Sequence, residues 1–108
     1  MKIKLGKYGI IFYTNTFVRL GGLAFGPFVF IRPKHLDNRG LLEHELVHTR
    51  QFWNPRKWFW SKLQKEVEAY REQLKWYSED KTRLFAEFIS TRYNLDITVE
   101  EAERLLRS

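Results

Sequence analysis

Apolar positions along the chain follow two periods. In the first third, runs of aromatic and β-branched residues from Tyr8 to Thr14 and from Leu23 to Ile31 are bounded by Gly, Asn and Pro. Such runs are the mark of short strands, the second interrupted at Gly26-Pro27. From Arg39 onward the spacing lengthens to three and four, and the chain reads as helix. Asp37 or Asn38 can cap a first helix over 39–53, which runs without Gly or Pro from Glu43 until Asn54-Pro55. Trp60, Leu63, Val67, Tyr70, Leu74 and Tyr77 then form an apolar stripe of the kind that packs one helix on another. This second helix starts either at Ser61 with Gln64 in a capping box, or with Asn54 as cap and Pro55 at the first helical position. Two more helices are expected over about 80–93, with Leu84, Phe85, Phe88 and Ile89 inward, and about 99–107, opened by a Thr98/Glu101 capping box. Strands followed by helices predict an α+β fold, with a small N-terminal antiparallel sheet in one domain spanning 1–108.

On the first helix lies His44-Glu45-Leu46-Val47-His48, an HExxH pattern. Two imidazoles one turn apart on one face can hold a zinc ion, and Glu45, about 100° around the helix, can reach a metal-activated water without ligating the metal. Zinc still lacks a third protein ligand, and the chain has no Cys and no His after His48. A carboxylate is needed, and Glu66 and Glu68 are offered. Glu66 lies roughly 70° from the centre of the apolar stripe and Glu68 roughly 130°, so Glu66 flanks the buried face and Glu68 points to water. If the second helix starts at Ser61, His48 and Glu66 also lie equally far, about 7.5 Å, from the hinge. Glu66 is preferred with either start.

With these residues on the page, the chain resembles the gluzincin branch of the zincin metallopeptidases, where HExxH precedes a helix bearing a glutamate ligand in an ExxAD or ExEAD pattern. His44, Glu45 and His48 match the first motif; Glu66, Glu68 and Ala69 match the second, and Tyr70 stands where many gluzincins place an Asp. The order Gly21 to Gly26, His44 to Gln51, Glu66 to Tyr70 is similar to small uncharacterised bacterial and phage-type HExxH proteins, over roughly residues 20–77. The resemblance implies zinc on His44, His48 and Glu66, and a peptide or protein substrate cleaved with Glu45 as general base. It also implies an edge strand along which substrate lies extended, for which Gly21 to Phe25 is the candidate unless Gly21-Gly22 merely makes a turn or bulge. Tyr70 can offer a hydroxyl to a ligand imidazole or simply pack. Tyr70, Tyr77, Tyr93 and Arg50 are candidate donors to the oxyanion by chemistry alone.

Composition sets the alternatives. A net charge of +6 raises a basic module for nucleic acid or a membrane surface, with Phe52 to Lys62 as its densest aromatic and basic stretch. Thirteen acids mixed among nineteen basic residues, especially on the helices, argue against both nucleic acid and a membrane surface, and the Trp cluster is expected to be hinge packing between two helices. A zinc-binding relative that does not cleave is the second alternative, because 108 residues leave little material for a cleft. His35 reads as an exposed turn residue; Arg50 and Gln51 read equally as contacts around the metal and as surface or packing residues. The N-terminus has no apolar signal core and no run is long enough to span a membrane, so a cytoplasmic protein is expected.

Overall fold

In the computed structural model, residues 2–7, 9–15 and 21–108 are described; Tyr8, the expected start of the first strand run, lies outside them. The apolar runs form β2 (Ile10–Tyr13), β3 (Gly22–Phe25) and β4 (Phe28–Ile31), and β1 (Lys2–Leu5) precedes them. The β1 strand adds to the expected elements; its Lys-Ile-Lys-Leu alternation has the strand period but only four residues, all exposed. Gly26, with φ of 57°, and Pro27 turn β3 into β4, a backbone angle that glycine adopts without cost.

The order of strands is β1-β2-β4-β3, with β1/β2 and β3/β4 antiparallel and β2/β4 parallel. The sheet is therefore mixed, which corrects the antiparallel expectation. β3 pairs with β4 alone, and β4 runs beside β2 in the same direction. β3 becomes an edge strand.

Alternation gives the sheet two unlike faces. One carries Ile11, Tyr13, Val29 and Ile31, all at most 5% exposed, and packs with Leu42 of helix α1 (Arg39–Trp53). Burying such side chains contributes roughly 1.5–3 kcal/mol each. On the opposite face, Ile3, Phe12, Phe30 and Leu23 lie in one cross-strand row. Leu5, Ile10, Phe28 and Phe25 form the next.

α1 is capped by Asn38, whose side chain accepts from the Leu41 N–H. Both starts weighed for the second helix are used. Asn54 caps a single 3₁₀ turn, Pro55–Lys57, and Ser61 with Gln64 makes the capping box that opens α2 (Lys62–Leu74). Helices α3 (Thr82–Arg92) and α4 (Val99–Arg107) build a second core with α2 around Tyr70, Phe85, Ala86, Ile89, Ala102 and Leu106.

Three expectations are corrected. Leu84 is 40% exposed; Phe85, Phe88 and Ile89 face the core as expected, and Ala86 takes the remaining inward position. Thr98 caps α4, but the Glu101 carboxylate accepts from the Thr98 hydroxyl rather than from its backbone N–H, leaving the box half made. Of the three Trp expected as hinge packing, Trp53 and Trp58 are 58% and 56% exposed and Trp60 is half-buried against Lys57, so the cluster packs the hinge only in part. The 3₁₀ turn spans the hinge.

Candidate metal centre

Helical spacing puts His44 and His48 one turn apart on α1, their ring centroids 5.1 Å apart. From α2, the Glu66 carboxylate reaches both rings, with Oε1 3.3 Å from His44 Nε2 and Oε2 3.0 Å from His48 Nε2. Glu66 is buried because it flanks the stripe that packs on α1, as its angular position implies. Donors about 2.0–2.1 Å from a tetrahedral zinc are separated by about 3.3–3.4 Å. The His44–Glu66 and His48–Glu66 distances are close to that edge. Donor atoms of His44, Glu45 and His48 also lie within 4.8 Å of one another. A buried cluster of two imidazoles and nearby carboxylates fits a divalent cation.

The surroundings fix how His48 presents its nitrogens. Gln51 Nε2 donates to the Lys65 carbonyl at 3.1 Å and to Glu68 Oε1 at 2.9 Å, so its Oε1 is left to accept. That oxygen is 2.9 Å from His48 Nδ1, which must then carry the proton. The proton that His48 gives up to become a metal ligand is therefore the one on Nε2, toward Glu66, which leaves that nitrogen bare for a cation. Lys57 Nζ holds the other Glu68 oxygen at 2.7 Å. Glu68 thus faces Gln51 and Lys57, not open water as its angle suggested, and it supports the centre at one remove.

His44 is held differently. Its ring packs edge-on against Tyr70 with centroids 4.3 Å apart, while the Tyr70 hydroxyl pairs with that of Tyr93 at 2.7 Å. Tyr70 therefore orients His44 by packing alone, and His44 Nδ1 is buried with no hydrogen-bond partner. Glu66 Oε1 is likewise a buried acceptor without one, His44 Nε2 lying 3.3 Å away but not aligned as a hydrogen bond. A cation between these groups would satisfy that oxygen. Lys62, one turn before Glu66 and 55% exposed, reaches Oε2 at 2.8 Å from the solvent side.

Ionisation follows from burial and pairing. Burial opposes the charge of Glu66, but His44 and His48 outweigh it and hold the carboxyl far below its usual range. Burial also opposes charge on His48, yet Glu66, Glu45 and Gln51 together raise its pKa. For Glu45, burial prevails over the attraction of His44 and His48 and pushes the carboxyl up. Burial raises both Tyr70 and Tyr93, which stay protonated.

Glu45 is 6% exposed and lies beneath β3. A Cβ on Gly22 would stand 2.7 Å from Glu45 Oε2, so any larger residue there displaces that carboxylate. A cleft of about 790 Å³ opens over the site. Gly22, Leu23 and Ala24 of β3 line one side, and Lys81, Leu84, Phe88, Arg92 and Tyr93 the other. The chain does make a cleft, then, because two cores meeting at the α1–α2 contact leave a trough between sheet and α3.

Among other residues singled out from the sequence, His35 is half-buried and lines the cleft rather than standing exposed, its ring beside Gly21. Tyr77 also lines it, but its hydroxyl donates to Asn38 and accepts from Gln73, clasping the start of α1 to the end of α2. Arg50 does not line the cleft. Lys62 went unnoticed in the sequence; its position one turn before Glu66 was the available signal. Comparison with protein families, with curated proteins and with solved structures finds no match to this chain.

Proposed function

We propose that the chain is a zinc-dependent peptidase of the gluzincin kind, with His44, His48 and Glu66 as ligands and Glu45 as general base. One observation supports this above the others: a single buried carboxylate from α2 meets both Nε2 atoms of the HExxH helix at near-ligand spacing, inside an open cleft. Zinc held there would lower the pKa of a water and polarise the scissile carbonyl.

The chain's own residues do the rest. An extended peptide pairs with the free edge of β3 and lies across Glu45, held by backbone hydrogen bonds that read no side chain. The Glu45 carboxylate, with its pKa raised by burial, accepts the proton of the attacking water and returns it to the leaving amine nitrogen. Gly22 keeps that carboxylate next to the peptide backbone. Tyr70 and Tyr93 spend one hydroxyl proton on each other, so the second remains to donate to the developing oxyanion.

A zinc-binding protein without cleavage is the second reading, favoured by the unpartnered Nδ1 of His44. Glu45→Gln separates the two. With the zinc-loaded protein and a mixed peptide pool, wild type should release fragments, and Glu45→Gln should keep its zinc and cut about 10²–10⁴-fold more slowly. Equal fragment release by both proteins would reject Glu45 as the base, and none from wild type would leave the non-cleaving reading.

A further inference from the structure

The outer face of the sheet carries two complete cross-strand rows of apolar side chains and no polar one. Several are well exposed: Leu5 79%, Phe25 73%, Ile3 55%, Leu23 42% and Phe28 38%. None belongs to either core cluster, and among the described residues α1 packs only on the other face while α2, α3 and α4 pack on one another. A contiguous apolar surface of this kind marks an interaction site.

Charge identifies what it fits. The first 36 residues hold six basic residues and no acidic one, which equals the whole chain's net charge of +6; the remainder is balanced. A second acid-free stretch, residues 46–65, carries the exposed aromatic hinge. The two stretches meet where the Phe52 ring lies 3.4 Å from the position of a Cβ on Gly26, at the β3–β4 turn. From there Trp53 stacks edge-on to Phe52, and the Trp58 indole donates to the Phe52 carbonyl at 2.7 Å.

We infer that the outer face of the sheet, bordered by this aromatic hinge, docks on an anionic lipid bilayer. Apolar side chains enter the acyl boundary, Trp takes the headgroup level, and the basic residues of the sheet segment are drawn to the negative surface. No described helix is long and apolar enough to cross a membrane, so the attachment is to the surface. A second copy fits poorly, because face-to-face stacking would bring two acid-free basic segments together. Nucleic acid fits poorly as well, since the apolar rows offer its phosphates no donor. The inference stands independently of whether the cleft hydrolyses peptides. If both hold, Phe52 and Trp58, which also line the cleft, place its mouth beside the bilayer.

The test is co-sedimentation of the full chain with vesicles of equal parts phosphatidylcholine and phosphatidylglycerol, against vesicles of phosphatidylcholine alone. The protein should pellet with the anionic vesicles, release as salt rises, and leave the neutral ones. Leu5→Ser with Phe25→Ser removes two of the most exposed side chains, and should weaken binding at least about tenfold while leaving the circular dichroism unchanged. Lys2→Gln with Lys4→Gln, on edge strand β1 but turned to the face of Tyr13 and Ile11, acts through the screened field alone and should weaken it by about three- to tenfold. Trp76→Ser, exposed elsewhere, should bind as wild type. Failure to bind anionic vesicles would overturn the inference. So would equal binding to both vesicles, or a dimer in sedimentation equilibrium that Leu5→Ser with Phe25→Ser dissolves.

Discussion

Gln51→Leu removes the one side chain that bonds a candidate zinc ligand and ties it to the second helix. In wild type, Gln51 accepts from His48 Nδ1 at 2.9 Å and donates to Lys65 and Glu68 at 3.1 and 2.9 Å. Leucine keeps much of the volume but strands the His48 N–H, costing about 1–3 kcal/mol when buried, while the Lys65 carbonyl keeps its place in the hydrogen-bond ladder of α2. His48 is partly exposed, at 16% of its side chain, and Glu68 keeps Lys57, so the net loss of stability should be about 1 kcal/mol. The larger effect concerns metal. With no acceptor fixing Nδ1–H, the ring can rotate or take the other tautomer, and zinc affinity should fall about 10–100-fold. Affinity is read by competition with a chromogenic chelator, and stability by thermal melting of the metal-free protein. Unchanged zinc affinity with the expected drop in melting temperature would refute the tautomer argument and leave Gln51 as mere packing.

Gly22→Ala puts a methyl 2.7 Å from Glu45 Oε2, so zinc stoichiometry should hold while peptide cleavage falls at least about tenfold; unimpaired cleavage would show that β3 does not position the base. Zinc affinity should decline as pH falls through the raised pKa of His48, with proton uptake by that ring measurable by calorimetry in buffers of different ionisation enthalpy. In the metal-free protein the depressed Glu66 contributes stability that is present above its usual 4.5 and lost in acid. The raised His48 contributes stability that is present below its usual 6.5 and lost as pH rises through its folded value. Raised Glu45 costs stability as pH climbs above its usual 4.5. Melting temperature should therefore peak on the acid side of neutrality, and a monotonic rise to alkaline pH would contradict this. Asn38→Ala removes both the α1 cap and the acceptor for Tyr77, and should cost about 1–2 kcal/mol in urea unfolding; a loss below about 0.5 kcal/mol would mean the clasp is not stabilising.

Local signals carried much of the fold and the site into the sequence. Bounds of α1 followed from a cap and a proline, and the deeper burial of Glu66 than of Glu68 followed from about 60° of helical rotation, because angular position decides how far a carboxylate enters an interhelical contact. Non-local features were not legible. The parallel β2/β4 pair is a choice of neighbour and direction that strand composition does not encode. Gln51 and Glu68 act through atoms fourteen and seventeen residues apart. Tyr70 shows a shared letter with two uses, since its ring serves His44 and its hydroxyl serves Tyr93. The exposed hinge and the apolar outer sheet face defeat the usual assignment of aromatic runs to the core, because alternation says which residues share a face but not what covers it.

A crystal structure of the zinc-loaded protein, with anomalous data at the zinc edge, tests the central claim most directly. It should place one ion about 2.0–2.2 Å from His44 Nε2, His48 Nε2 and a Glu66 oxygen, with Glu45 turned toward the open side of the ion and Lys62 withdrawn from Glu66. An ion ligated by Glu45 or Glu68 in place of Glu66, or no ion between the two histidines, would contradict it.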